Sequence, residues 1–260
     1  MAMPETSDPQ PTGAFHWTQE PWGRALRCSE LPVEHFFTSA DLVLRDSDSE
    51  WEAVAASLGV TRDRLLLVKQ VHGVDVAVAR RGDGRREWSR PQADIIVTDD
   101  PSVAIGVRVA DCAPILLYDR GNNVAAAVHA GWRGAAAQAA RAGVHALRRE
   151  FGTNPVNLVA AIGPCLGQCC GEVGPDVIEA FKSGGADPSS IDSWFTPGAG
   201  DRSFLDLERA NRDQLAQAGV RPDAIFASGL CTKTNPQRLH SYRAARDGAG
   251  RMLAAIRLPR

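Results

Sequence analysis

The stretch "NVAAAVHAGWRGAAAQAARAGVHALRREF", residues 123 to 151, changes its period partway along. Residues 123 to 130 form an apolar run of strand character. From Gly134 onward, Ala136, Ala140, Gly143, Val144, Leu147 and Phe151 share one helical face, while Gln138, Arg141, His145, Arg148 and Arg149 share the other. The spacing therefore predicts a buried strand handing over to a helix that runs from Gly134 to Phe151. Gly131 and Gly134 allow the tight turn between them. His129 falls at the strand's end, with Trp132 and Arg133 at the start of the helix. Unpaired N–H groups beside an arginine suit a phosphate or carboxylate. Seen alone, His129 reads first as a hydrogen-bonded core histidine and Arg133 as a surface residue.

Working outward, "ADIIVTD" (93 to 99), "VAIGVRV" (103 to 109) and "PILLYD" (114 to 119) are strand-like runs separated by turn residues. "LLLVKQVHGVDVAVA" (65 to 79) reads as two short strands broken at Gly73, with His72 at the break. A polar helix is expected over Ser49 to Leu58. Further helices are expected near Pro175 to Lys182 and Leu205 to Ala218, and strands at 157 to 163, 223 to 228 and 251 to 258. The pattern is a single mixed α/β domain over residues 15 to 260, behind a polar, proline-bearing segment expected to be a disordered tail at 1 to 14. "RRGDGRREWSRP" (80 to 91) reads as an exposed loop.

The chain has 260 residues, 44% of them hydrophobic, enough for a substantial core. Lysine plus arginine (29) nearly balance aspartate plus glutamate (31), which disfavours nucleic acid and anionic membrane as partners. No apolar stretch reaches the roughly 20 residues of a membrane span, and the N-terminal residues lack a signal pattern. A cytoplasmic protein with reduced thiols is expected, a monomer or weak homodimer acting on a small molecule. Its six cysteines are Cys28, Cys112, Cys165, Cys169, Cys170 and Cys231.

"KQVHGVD" and "VADCAPILL" add His72 and Cys112 to His129: three donors at three predicted strand ends. Two imidazoles and a thiolate suit zinc, and three protein ligands leave a position open for chemistry. The gaps of 40 and 17 residues match no local zinc motif, so spacing leaves two alternatives open: metal ligation, or a Cys112–histidine dyad with a nucleophilic thiol. "PCLGQCC" (164 to 170) lacks the Cys-x-x-Cys spacing of nucleobase deaminases, and neither His72 nor His129 is followed by x-Glu. A structural zinc on Cys165, Cys169 and Cys170 is a further alternative. Trp22, Trp132 and Trp194 could each stack on a flat ligand, though only Trp132 has candidate site neighbours. Asp111 reads as a turn former.

With "KQVHGVDV", "ADIIVTDD", "VADCAPILLYD", "AAVHAGWRG" and "AAIGPCLGQCC" in that order, the chain resembles the bacterial laccase-domain family from about residue 62 to its end. Members carry the names polyphenol oxidase, peptidoglycan editing factor and purine nucleoside phosphorylase. The resemblance implies mixed sheets sandwiched by helices, like the toxin cysteine-deamidase fold, and zinc, or alternatively copper, on His72, Cys112 and His129, which would also be the catalytic residues. It implies phosphate-dependent cleavage of adenosine, inosine, guanosine or methylthioadenosine, with adenosine deamination beside it. Arg133, Trp132 and Arg243 are then the substrate-binding candidates, Arg243 and Arg251 lying in the closing "HSYRAARDGAGRM".

Two departures stand out. Ala40 falls where the family carries an arginine, and Gly171 replaces a tyrosine, which is expected to open or alter one pocket wall. Competing activities are a peptidoglycan-precursor editing hydrolase, a copper-dependent polyphenol oxidase and a non-catalytic binding module. Six histidines in all (His16, His35, His72, His129, His145 and His240) are too few for a polynuclear copper centre.

Overall fold

The computed structural model describes residues 8–82 and 88–260. In chain order its first half contains β1 (Phe15–Glu20), β2 (Gly23–Cys28), β3 (Glu34–Thr38), α1 (Asp48–Ser57), β4 (Leu65–Leu66), β5 (Val76–Ala79), β6 (Ile95–Thr98), β7 (Ala104–Val109), β8 (Ala113–Asp119) and β9 (Val124–Ala130). The second half contains α2 (Trp132–Ala136), α3 (Ala139–Phe151), β10 (Leu158–Ile162), β11 (Glu172–Val173), α4 (Pro175–Ser183), α5 (Pro188–Trp194), β12 (Phe195–Pro197), β13 (Ser203–Leu205), α6 (Leu207–Gln217), β14 (Ile225–Ala227), α7 (Tyr242–Ala245) and β15 (Met252–Arg257). Two six-stranded sheets have the orders β1-β2-β3-β15-β7-β4 and β14-β10-β8-β9-β6-β5, and β11-β13-β12 form a small third sheet. Both large sheets are mixed: β4 with β7, β5 with β6 and β10 with β14 pair in parallel.

All seven residues of β8 and all seven of β9 are buried, because both faces of their sheet are covered. Val124, Ala126, Val128 and Ala130 face α3 and α6, packing with residues such as Val144, Leu147 and Ala210. Ala125 and Ala127 face the other sheet, meeting residues such as Ile105, Val107, Ala254 and Ile256. Alanines on that face let the sheets pack closely. On the far side of the first sheet, Trp51, Val54 and Ala55 of α1, with Leu58 just after it, cover Ala25, Phe36, Leu253 and Ala255. The result is four layers, helix, sheet, sheet and helices, as the mixed α/β expectation requires.

The continuous helix expected from Gly134 is two helices. Gln138 breaks it with φ 64°, in the left-handed region. The cause is a neighbour: at the end of α4, Gly184 approaches so closely that a Cβ there would lie 1.9 Å from the Ala136 carbonyl oxygen. The Gln138 amide donates to Gly184 O at 2.6 Å, and Gln214 donates to Ala135 O at 2.7 Å. The five-residue α2 is therefore too short to build the dipole expected at Trp132 and Arg133. Beyond the break, α3 buries Ala140, Gly143, Val144 and Leu147 as its spacing predicts.

Of the stretch expected to be a disordered tail, residues 1–7 lie outside the described residues. Asp8 to Gly13 are tied to the body: Asp8 pairs with Arg24 at 3.2 Å and Arg238 at 2.5 Å, and Thr12 N donates to Ser228 O at 2.9 Å. Part of the expected 80 to 91 loop, residues 83–87, also lies outside the described set. Among the described residues no helix is long and apolar enough to cross a membrane.

Candidate metal centre

Asp94, the fully buried residue just before β6, organises the site, and sequence reasoning missed it. The β6–β9 register pairs Ile95 with Val128, which sets Asp94 beside His129; His129 N donates to Asp94 O at 2.8 Å. The Asp94 carboxylate accepts three consecutive backbone N–H bonds from the β4–β5 connection: Val71 at 3.2 Å, His72 at 2.9 Å and Gly73 at 2.7 Å. It also takes the His129 ring at Nδ1, at 2.7 Å. One carboxylate thus folds the loop that carries His72 and orients the imidazole of His129, committing Nδ1 and turning the other side of the ring to Cys112. His72 is held at φ 65° by that loop, a left-handed conformation costing about 1–2 kcal/mol.

Cys112 enters from the β7–β8 connection. Donor atoms of His72, Cys112 and His129 all lie within 4.8 Å of one another, a group able to hold a metal ion. The two imidazoles meet edge to face, with centroids 4.9 Å apart. Gly131 is required by this convergence: a Cβ there would sit 2.6 Å from Cys112 Sγ and 3.2 Å from His72 Cδ2. Asp111 does make the turn before Cys112, at φ 87°. Its carboxylate also accepts from the Thr232 hydroxyl at 2.6 Å and from Arg243 N at 2.5 Å, fixing the closing motif against the site.

Burial opposes charge on Cys112, yet His129 and His72 outweigh it and bring the thiol down to about 6. Burial likewise opposes charge on His129, but Cys112 and Asp94 raise it to about 9. In Asp94 burial is overcome by His129 and by the Gly73 and Val71 N–H groups, holding the carboxyl below its usual range. Each member of the Cys112–His129 pair thus favours the charged form of the other.

The donors open into a cleft of about 830 Å³. Lys69, Arg90, Arg108, Arg133, Arg243, Arg246 and Arg251 line it, with Gln70, Trp132, Leu166 and Gly171. Of these, Lys69, Gln70, Arg90, Arg108 and Arg246 escaped sequence reasoning, which had nothing to distinguish them from surface residues. Arg108 Nε is buried without a hydrogen-bond partner, and Gln70 grips the Arg108 backbone at 2.7 and 2.8 Å. Arg133 is stacked over the Trp132 ring at 4.1 Å, so one face of that ring is already covered. The Arg243 guanidinium donates to the carbonyls of Cys170 at 3.3 Å and Glu172 at 3.0 Å.

Three expectations change here. Trp194 packs in the core on Phe181 and donates to Asp213 at 2.8 Å, and Trp22 packs on Phe36, so neither reaches the cleft. Gly171 does not leave a hole in the wall, since a Cβ there would lie 2.5 Å from Leu205 O. The third concerns Cys169 and Cys170: they converge with Cys231, not with Cys165.

A two-sheet α/β chain with a His-Cys-His convergence at its strand ends matches a known class. The family described as multi-copper polyphenol oxidoreductase laccase matches residues 45–259. The chain belongs to this family. It is 34% identical over 255 residues to a purine nucleoside phosphorylase of Deinococcus radiodurans, covering 90% of this chain and 93% of that one. It is 35% identical over 208 residues to adenosine deaminase RL5 of an unknown prokaryotic organism, covering 78% of each. Among solved structures, the Bacillus licheniformis hypothetical protein YfiH aligns with TM-score 0.82 at 26% identity, covering 90% of this chain and 96% of that one.

Proposed function

We propose that the protein is a zinc-dependent purine nucleoside phosphorylase of the cytoplasm, acting as a monomer or weak homodimer. The observation that carries this reading is the three-donor convergence at the floor of an arginine-lined cleft, in a chain so similar to a phosphorylase. His72, Cys112 and His129 fit zinc by donor type, by proximity and by the Asp94 brace on His129. When bound, the ion supplies Lewis acidity and an open coordination position.

The chain's own residues account for the rest. In phosphorolysis a phosphate oxygen bonds to the sugar C1′ as the bond from C1′ to the base nitrogen breaks. Arg90, Arg108 and Arg251 gather positive charge on one side of the cleft, and burial among these cations lowers the proton affinity of Arg108. That crowding is relieved by an anion, and the unpaired Arg108 Nε is a donor for it. Trp132, backed by Arg133, offers its remaining face to a purine, and Arg243 keeps the opposite wall in place. Asp94 keeps His129 Nε2 directed at the reacting region.

Adenosine deamination is the second reading, favoured by the 35% identity to a protein named adenosine deaminase. A copper oxidase is disfavoured: His16 and His145 are exposed, while His35 and His240 are committed to backbone groups. The test is elemental analysis coupled to a nucleoside-plus-phosphate assay on wild type and Cys112→Ala. Release of free base that requires phosphate, with about one zinc lost in the variant, is expected. Metal-replete protein releasing no base from any of adenosine, inosine, guanosine or methylthioadenosine overturns the reading.

A further inference from the structure

The wall of the cleft contains a second convergence of donors, unused by the reaction above. Cys169 and Cys170 lie in the short 3-10 turn Gln168–Cys170. Cys231 follows β14, and an isolated parallel bridge joins it to Cys165, with Cys165 N donating to Leu230 O at 3.3 Å and Thr232 N to Cys165 O at 2.9 Å. That bridge draws two segments some 60 residues apart in sequence into contact. The sulfurs of Cys169, Cys170 and Cys231 then lie within 4.8 Å of one another, Cys169 and Cys170 at 3.7 Å, and all three are free.

Three features separate this cluster from thiols that merely fill space. The first is distance. A tetrahedral ion with metal–sulfur bonds of about 2.3 Å holds its sulfurs roughly 3.8 Å apart, so the separations present need only small adjustment. The second is the glycine that makes room: a Cβ at Gly167 would meet Cys231 Cβ at 2.9 Å, Cys231 Sγ at 3.3 Å and Cys169 Sγ at 3.5 Å. Gly131 has the same relation to Cys112 at the first site. The third is the polar shell of the buried sulfur. The backbone N–H groups of Gly167, Lys233 and Thr234 surround the Cys231 sulfur, while the Thr234 hydroxyl donates to the Cys231 carbonyl at 3.4 Å. N–H bonds to sulfur are what a ligand thiolate needs to share its charge, and a small apolar thiol has no use for them. Cys169 is exposed, which gives an ion a way in.

We propose that Cys169, Cys170 and Cys231 form a second metal site, which takes one thiophilic divalent cation of the zinc class on three thiolates, with water in the fourth position. The three thiols give up their protons to solvent as the ion binds. The ion ties the 165–173 segment to the chain after β14. Because Arg243 holds the carbonyls of Cys170 and Glu172, the site braces the wall that faces the nucleoside without entering the cleft.

The test is a titration of full-length, metal-stripped protein with cobalt(II) under anaerobic, reducing conditions. Wild type is expected to bind two equivalents with sulfur-to-cobalt charge-transfer absorption. Cys169→Ser and Cys112→Ala are each expected to bind one, and the double variant none. Cys169→Ser leaves the three donors of the first site intact, so a failure of this site and a failure of the first are read separately. Cys231→Ala serves as a second variant that removes the same equivalent. A single equivalent in the wild type overturns the proposal, whether the thiols stay free or a non-reducing peptide map finds two of them bridged. Two equivalents that persist in both Cys169→Ser and Cys231→Ala overturn it as well.

Discussion

The molecule holds two Cys–His neighbourhoods of similar burial and opposite character. His35 and His129 are each 3% exposed. His35 gives its Nδ1–H to Val33 O at 2.7 Å and receives the Cys28 backbone N–H on Nε2 at 2.9 Å, so both nitrogens are spent on the backbone. Burial, with help from Arg27, pushes it down to about 4, and burial raises the Cys28 thiol. His129 has one nitrogen on the Asp94 carboxylate and shares a hydrogen bond with Cys112 on its other side, and that thiol neighbour is pulled down instead. Burial therefore does not make a site. A buried countercharge plus an ionisable partner does.

The largest expected effect sharpens that contrast. Cys112→Ala lowers kcat/KM for phosphorolysis by on the order of 10³-fold or more, measured with metal-replete enzyme. The contrast breaks if the loss is small.

The next effect is acid sensitivity. His35 has a folded-state pKa below its unfolded one, so the unfolded chain binds the extra proton and stability falls as pH drops from about 6.5 to about 4. The loss is on the order of 3 kcal/mol. Between pH 6 and 9 the shifts of Cys112 and His129 have opposite signs and nearly cancel in protons bound, which leaves buried His35 the main histidine contributor to the acid window. Urea midpoints of stripped protein across this range check it; His35→Gln should be less stable at pH 7 and lack that slope.

Asp94→Asn keeps the shape but removes the countercharge. Zinc affinity is expected to fall about 10–100-fold in a competitive chelator titration. Smallest of all, Cys28→Ala leaves kcat/KM within about twofold while lowering stability by about 1 kcal/mol, the ordinary price of a small buried side chain.

Much of this was legible in the chain. β6 to β9 read correctly because strands covered on both faces are written as unbroken apolar runs, and α3 because its buried alanines and exposed arginines keep helical spacing. The three donors could be picked out at strand ends, but their convergence depends on the β6–β9 and β8–β9 registers, which no local pattern carries. Asp94 looked like the start of an ordinary strand; nothing in "ADIIVTD" tells that its carboxylate will meet three N–H groups from a loop 20 residues upstream. Gln138 broke a well-formed helical pattern because Gly184, far away in sequence, presses on Ala136. β1 to β3 escaped since their tryptophans, arginines and glutamates hide the alternation of a half-covered edge.

β15 lies between β3 and β7, near the middle of its sheet, although it comes last in the described chain. On the ribosome the β1–β3 ribbon and the β7–β4 pair therefore emerge with raw edges and nothing to bridge them, a state prone to wrong pairing until residues 252–257 arrive. Translation that stalls just short of them would deliver a nascent chain with every donor present and no barrier against aggregation, a natural client for chaperones.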